Sequence, residues 1–183
     1  MSADVWRPGG ENVRESPEIP YALIGGLAIA ARGAIRATQG VDLIVDVPVQ
    51  QAPSLEQSLR DRGFRATFYR AAADDPIVGV LRLDVTVAGA EVKCDVLFAS
   101  RGWQSQAVKN ATSVDLGSFA VKVAQPADLF LLKLCAGGPQ DLIDAAELLN
   151  LQSPEEQARW KATAAQLRLT REYNRCLRLL NPS

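Results

Sequence analysis

The feature that most constrains the fold is an apolar segment at residues 41–47, with the sequence Val-Asp-Leu-Ile-Val-Asp-Val. β-Branched and apolar residues dominate this segment, and Pro48 follows it directly. A short apolar run of this kind is typical of a strand that is covered on both faces, because such a strand needs no polar side. The sequence therefore predicts a central strand, and the flanking segments must supply its neighbours.

A β-hairpin is the next clear prediction. Residues 81–87 and 91–97 alternate between apolar and polar side chains, and Gly89 lies between them. Period-two alternation on both sides of a glycine turn is typical of two antiparallel strands. Further strands are predicted at residues 64–69 and 119–123, and a short one from Tyr21 to the Gly25-Gly26 turn.

Helices are predicted to dominate the last third of the chain. Pro126 opens a helix that runs to about Cys135, and a second helix follows over residues 141–149. Ser153-Pro-Glu-Glu has the form of a capping box, and we predict one long helix from there to about Leu180. An earlier amphipathic helix is predicted at residues 53–62.

These elements predict an α/β (α+β) chain with strands of mixed direction and a C-terminal helical extension. We divide it into an irregular N-terminal segment at residues 1–17, an α/β core at residues 18–125 and a helical region at residues 126–183 that packs on the core.

Composition excludes several kinds of chemistry. The chain has no histidine, which removes Ser-His and Cys-His nucleophile pairs and most zinc sites. Cys94, Cys135 and Cys176 lie in apolar or amphipathic stretches without CxxC spacing, so we expect buried thiols in a reducing compartment. Net charge is -1, so we expect no DNA partner. No targeting or membrane-spanning segment is evident, and the cytoplasm is the expected location.

Residues suited to phosphate chemistry recur along the chain. Aspartates on strands can hold the divalent cations that neutralise a nucleoside triphosphate as pyrophosphate leaves. Glycines at a strand–helix turn let backbone N–H groups approach phosphates. The candidate set contains such aspartates and glycines together with an arginine, a threonine and a lysine. In chain order its members are Gly25, Gly26, Arg36, Thr38, Asp42, Asp95, Lys133 and Asp141.

In type and order these residues resemble the nucleotidyltransferase superfamily, in particular small bacterial members related to abortive-infection and minimal-nucleotidyltransferase toxin–antitoxin proteins. The resemblance covers about residues 21–149. It implies a nucleotidyltransferase-like mixed sheet with flanking helices, and a helical extension that closes a nucleotide cleft. It also implies site residues: Asp42 and Asp95 as catalytic ligands of Mg²⁺ or Mn²⁺, and Gly25, Gly26, Arg36, Thr38, Lys133 and Asp141 as nucleotide-binding residues.

The chain departs from the family pattern at Gly40, where the first aspartate of an Asp-x-Asp pair is expected. Only Asp42 of that pair remains. Asp46 shares its strand face but lies about 13 Å farther on at roughly 3.3 Å per residue, too far to share one cation. Asp84 and the amide of Gln39 do not restore the charge at that place. The metal site is therefore predicted to be incomplete.

Local alternatives stay open for several of these residues. Asp42 could cap a neighbouring helix, and Asp95 could form a cross-strand ion pair with Arg82. Lys133 could extend to the surface or meet a buried anion. Asp141 and Asp144 could cap their helix or approach Lys133.

The predicted last helix carries two stripes. One is apolar and the other basic, and the basic one is either a solvated face or a surface for RNA or an acidic partner. The apolar stripe consists of Leu169, Tyr173, Cys176 and Leu180, and the basic stripe of Arg168, Arg171, Arg175 and Arg178.

Two functions follow from the resemblance. The first is metal-dependent transfer of a nucleoside monophosphate from an NTP to a macromolecular acceptor, tRNA or protein, in a toxin–antitoxin setting with an antitoxin-like protein partner. The alternative is a catalytically degenerate protein of the same fold that binds a nucleotide or a partner. The sequence leaves open whether the chain is an enzyme.

Overall fold

The computed structural model describes residues 19–34, 40–72, 77–87, 89–117 and 119–180. The predicted irregular segment at residues 1–17 lies outside them. Within the described residues, seven strands form one mixed sheet. The strands are β1 (Tyr21–Ile24), β2 (Gly40–Val45), β3 (Arg65–Arg70), β4 (Gly79–Val87), β5 (Ala90–Phe98), β6 (Thr112–Asp115) and β7 (Ala120–Val123). Their order across the sheet is β3-β4-β5-β2-β1-β7-β6.

Helices cover the sheet and follow it. They are α1 (Gly25–Ala31), α2 (Ala52–Asp61), α3 (Gly102–Lys109), α4 (Pro126–Ala136), α5 (Pro139–Asn150), α6 (Pro154–Gln166) and α7 (Thr170–Leu180). Among the helices of the described residues, none has the length and apolar character that crossing a membrane requires.

The predicted central strand is confirmed as β2. It pairs antiparallel with β1 and parallel with β5, which gives the sheet its mixed direction. Ile44 belongs to the larger core with α1 and α4, whereas Val45 joins Phe98 and Ala52 of α2 in a second core. Because the two faces of β2 point into different cores, its sequence is apolar on both.

An aromatic cluster ties the C-terminal helices to the larger core. Phe130 of α4 lies 5.0 Å from the Trp160 ring of α6 and 6.2 Å from the Tyr173 ring of α7, measured between ring centroids. All three side chains are buried. Their apolar area fixes α4, α6 and α7 against one another.

The predicted hairpin is confirmed as β4 and β5, which pair antiparallel along their length. Sequence reasoning missed α3 and β6. No apolar period marks this polar segment; instead the buried Gln104 side chain anchors it by accepting hydrogen bonds from the backbone N–H groups of Ser100 and Arg101, at 2.9 and 3.1 Å.

The prediction of one long last helix is wrong. α6 ends at Gln166, and Arg168 adopts a left-handed conformation with φ 63° before α7 begins. The backbone N–H of Leu169 bonds back to the carbonyl of Ala164 at 2.8 Å, which closes the turn. The break redirects the chain so that α7 packs against α5.

The break leaves most of the predicted apolar stripe buried but shortens the predicted basic stripe. Leu169, Tyr173 and Cys176 are buried, so the apolar stripe still packs inward. Arg168 no longer shares a helix with the other arginines. Arg175 donates a hydrogen bond from Nη1 to the Gly137 carbonyl at 3.3 Å, so the basic stripe is shorter than predicted and partly engaged.

We predict that Arg168→Gly stabilises the protein. A left-handed residue with a Cβ carries a steric cost that glycine avoids, so the free energy of unfolding should rise by roughly 0.5–1 kcal/mol. Urea denaturation measures this change. Lys161→Gly, which also removes an exposed cation but lies inside α6, should instead lower stability by about 1 kcal/mol. Destabilisation by Arg168→Gly would contradict the assignment of strain to this turn.

Candidate functional site

A cavity of about 250 Å³ lies between the sheet and helices α4 and α5. Four residues selected from the sequence line it, and they come from four separate elements. These residues are Gly25, Asp42, Lys133 and Asp141. Most of the remaining wall is apolar and includes Ile24, Leu97, Leu129 and Leu132.

Gly25 and Asp42 lie next to each other in the cavity wall. Asp42 on β2 lies opposite Ile24 of β1, so its side chain meets the chain where β1 turns into α1. Gly25 has φ +70°, and a Cβ built on it would lie 1.9 Å from Asp42 Oδ2. Glycine is therefore required here both by its conformation and by the Asp42 carboxylate. Gly26 is buried in the first turn of α1.

The position of Asp42 is compatible with both of its predicted roles, ligand binding and support of a neighbouring helix. Its carboxylate lines the cavity, and it also touches the first turn of α1, where a helix favours negative charge. The sequence alternative of a carboxylate that supports a neighbouring helix therefore fits the structure as well as a ligand-binding role does.

Asp95 forms the cross-strand ion pair that the sequence offered as its alternative. Arg82 Nε lies 2.8 Å from Asp95 Oδ1, and Arg82 Nη2 lies 2.8 Å from Oδ2. Hydrogen bonding to Asp95 raises the pKa of Arg82 above its ordinary value, and the charge of Asp95 adds to this. Asp95 is also in register with Asp42 on the parallel strand, so both carboxylates lie on the same sheet face.

Lys133 pairs with one buried and one partly exposed carboxylate and does not extend to the surface. Its Nζ lies 2.8 Å from Asp141 Oδ1 and 2.9 Å from Asp144 Oδ2, and Asp144 is fully buried. Burial by itself lowers the pKa of Lys133, but hydrogen bonds to the two carboxylates outweigh it and the pKa is raised. Asp141 and Asp144 thus approach Lys133, one of the two arrangements that their spacing allowed.

Other sequence-selected residues lie away from this cavity or outside the described residues. Asp46 follows the end of β2, with its Oδ2 3.9 Å from Lys109 Nζ. Asp84 lies opposite Lys93 in the hairpin. Arg36 and Thr38 lie outside the described residues, so their predicted nucleotide-binding role stays a prediction.

Two cavity residues with a polar or titratable side chain were missed as site residues. Gln104 and Cys135 both line the cavity. Burial raises the pKa of the Cys135 thiol, so the thiol remains protonated and poorly nucleophilic. Nothing in the sequence singled out Gln104, because its position depends on contacts with the preceding loop.

A divalent cation does not fit the residues present. Across the described part of the chain, no three carboxylate or thiol side chains lie close enough together to hold a metal ion. Residue 40 has no side chain, and both oxygens of Asp95 are bonded to Arg82. The Mg²⁺ or Mn²⁺ site implied by the family resemblance lacks the carboxylates that it needs.

Comparisons with known proteins bear on the fold. No protein-family model and no curated protein sequence matches the chain. One similar solved structure is an antigenic nucleotidyltransferase-like protein from Paracoccidioides brasiliensis, 19% identical, with 82% of this chain and 81% of that chain covered and a TM-score of 0.47. Another is the antibiotic-resistance factor ANT(2'')-Ia in solution, 13% identical, with 86% and 88% covered and a TM-score of 0.51. A crystal structure of ANT(2'')-Ia in complex with adenylyl-2''-tobramycin is 13% identical, with 81% and 88% covered and a TM-score of 0.49.

The likeness to ANT(2'')-Ia in solution spans most of both chains. It shows that this chain has the nucleotidyltransferase-like fold that the sequence pattern predicts. At 13% identity the likeness concerns the fold alone.

The contact between Gly25 and Asp42 generates a prediction. Gly25→Ala should destabilise the protein far more than Gly33→Ala, because both glycines have positive φ but a Cβ at Gly33 meets nothing within 4 Å. We expect a cost of about 1 kcal/mol for strain at Gly33, and roughly 1–3 kcal/mol more at Gly25 for the steric conflict. Equal losses in urea denaturation would show that Asp42 does not occupy this space.

The Lys133 cluster generates a second prediction. Asp144→Asn should lower the free energy of unfolding by roughly 2–3 kcal/mol, less than for a fully broken buried pair because Asp141 still faces Lys133. Asp141→Asn, at the more exposed partner, should cost about 1 kcal/mol or less. The contribution is present at neutral pH and is lost as pH rises through the raised pKa of Lys133. A larger loss for Asp141→Asn in thermal unfolding would contradict this ranking.

Proposed function

We propose that this chain is a nucleotidyltransferase-fold protein that binds the nucleoside part of a nucleotide in its cavity. One observation carries the proposal: Gly25, Asp42, Lys133 and Asp141, distant in sequence, line the same cavity. The fold supports the choice of ligand class, since the chain has a nucleotidyltransferase-like architecture.

The size and wall of the cavity favour a flat, partly apolar group. About 250 Å³ is slightly less than the roughly 300–1,000 Å³ of sites for drug-sized ligands, so it suits part of a nucleotide. Leu129 and Leu132 offer apolar contact to a base, and the polar residues of the cavity wall can orient it.

The charges around the cavity disfavour a direct phosphate site. Among the described residues at the cavity, three carboxylates, from Asp42, Asp141 and Asp144, accompany the ammonium of Lys133. That ammonium already contacts two of them. We therefore infer that Lys133 holds the two helices together at the cavity wall and that the phosphates of a bound nucleotide point toward solvent.

A second candidate is the transfer reaction itself. Asp42 and Asp95 lie in register on one sheet face, which is the placement that metal-dependent transfer of a nucleoside monophosphate would use. This candidate function would require a tRNA or protein acceptor, and it includes an antitoxin-like protein partner. The Arg82–Asp95 ion pair and Gly40 favour the binding function over it.

Calorimetric titration of nucleosides, monophosphates and triphosphates, in EDTA, tests the binding function. We expect a nucleoside to bind, and we expect the affinities of its monophosphate and triphosphate to lie within about tenfold of the nucleoside's. The carboxylates repel phosphates, so the phosphates should point toward solvent and add little to binding. Ala136→Phe should abolish binding, since Ala136 lines the cavity. Ala158→Phe, at an exposed position of α6, should not. No binding of any nucleoside, or equal effects of the two variants, would contradict the proposal.

Transfer of label from α-labelled NTPs to the protein or to tRNA, with magnesium or manganese, separates the two candidates. Wild type, Asp42→Ala/Asp95→Ala and Gly40→Asp are compared. If the chain only binds nucleotides, wild type should transfer no label. Transfer by wild type that is lost in the double alanine variant would establish the second candidate instead.

A further inference from the structure

We propose that Arg82, on the sheet face that carries Asp42 beside the cavity, takes the place of a metal ion: its guanidinium holds Asp95 where a divalent ion would otherwise be needed, so the cavity binds its ligand without a metal. The identity of the ligand rests on the proposed function. The assignment of Arg82 rests on the sheet geometry alone.

Arg82 engages the whole Asp95 carboxylate. Its Nε and Nη2 each bond to a different carboxylate oxygen at 2.8 Å, the paired geometry that a planar guanidinium favours. A divalent ion on either oxygen would meet the positive charge of the guanidinium. A metal ion at Asp95 therefore competes with the ion pair.

One further contact and one electrostatic attraction act on Arg82. Its Cζ lies 5.7 Å from the centre of the Tyr69 ring, a cation–π distance. Asp84, two residues along β4 and on the same face, adds electrostatic attraction. These interactions help to orient Arg82 toward Asp95, so a metal ion at Asp95 would have to displace an oriented guanidinium.

The position of the missing carboxylate is also next to a cation. Gly40 lies in register with Lys93, just as Asp42 lies in register with Asp95. A Cβ built on Gly40 would lie 3.4 Å from the Lys93 carbonyl oxygen, an ordinary contact. Packing therefore admits a Cβ at residue 40. The sheet face carries Arg82 and Lys93 where a metal site would need carboxylates and an open coordination position.

Binding of Mn²⁺, followed by the loss of the free-ion electron paramagnetic resonance signal, tests this assignment. Wild type and Gly40→Asp should bind no Mn²⁺ at this site, because Arg82 remains. Gly40→Asp/Arg82→Gln frees Asp95 and adds a carboxylate, so its overall affinity for Mn²⁺ should exceed the nonspecific affinity of wild type by at least about tenfold. Gly40→Asn/Arg82→Gln, matched in size but without the new charge, should stay near wild type.

Several outcomes would overturn the assignment. One is Mn²⁺ binding by wild type that disappears in Asp42→Asn, and another is a folded Gly40→Asp/Arg82→Gln variant that binds no better than wild type. If that variant does not fold, an NMR measurement on wild type tests the proposal. Added Mn²⁺ should not broaden the amide signals of Asp42 and Asp95. Selective broadening of these signals would overturn the proposal.

The ligand part is tested by titrating the nucleoside with EDTA and with Mg²⁺. Equal affinities within about twofold are expected, and a requirement for Mg²⁺ would overturn the inference. Absence of nucleoside binding under both conditions would instead contradict the proposed function. The Mn²⁺ measurements need no nucleotide, so the two failures are distinguishable.

Discussion

Pairing of β2 on both of its edges is the constraint on which the site depends. The antiparallel register with β1 sets Asp42 opposite Ile24, and the parallel register with β5 sets it beside Asp95. A shift by one residue would exchange the faces of Ile44 and Val45, which lie in different cores. The apolar burial of one strand therefore fixes the position of a carboxylate, and Gly25 must follow because only glycine leaves room for it.

Two ion pairs near the cavity differ in what they do for the protein. Lys133 and Asp144 are largely removed from solvent, so loss of one would leave the other as a buried charge. Arg82 and Asp95 retain side-chain exposures of 46% and 25%. A pair this exposed contributes about 1 kcal/mol or less to stability. Its main consequence is electrostatic, because it sets the charge of the sheet face next to Asp42.

Apolar pattern and turn chemistry predicted much of the fold. The central strand, the hairpin and the helix opened by Pro126 each carry a local signal. α3 and β6 do not, because Gln104 anchors its segment through loop contacts rather than through an apolar period. The break at Arg168 was missed because a left-handed residue is normally signalled by glycine or asparagine, and arginine gives no such signal.

The site shows the same division between local and non-local information. Four of the residues that line the cavity were selected from the sequence by type and order. The role of Asp95 could not be selected, since a metal ligand and a cross-strand partner of Arg82 have the same local sequence. Strand register decides between them. Gly40 belongs to neither apolar core, and a Cβ there would make only one ordinary contact, so a carboxylate can be absent at this position while the cores stay intact. Fold and metal chemistry are therefore separable in this chain, and similarity of fold does not imply a metal site.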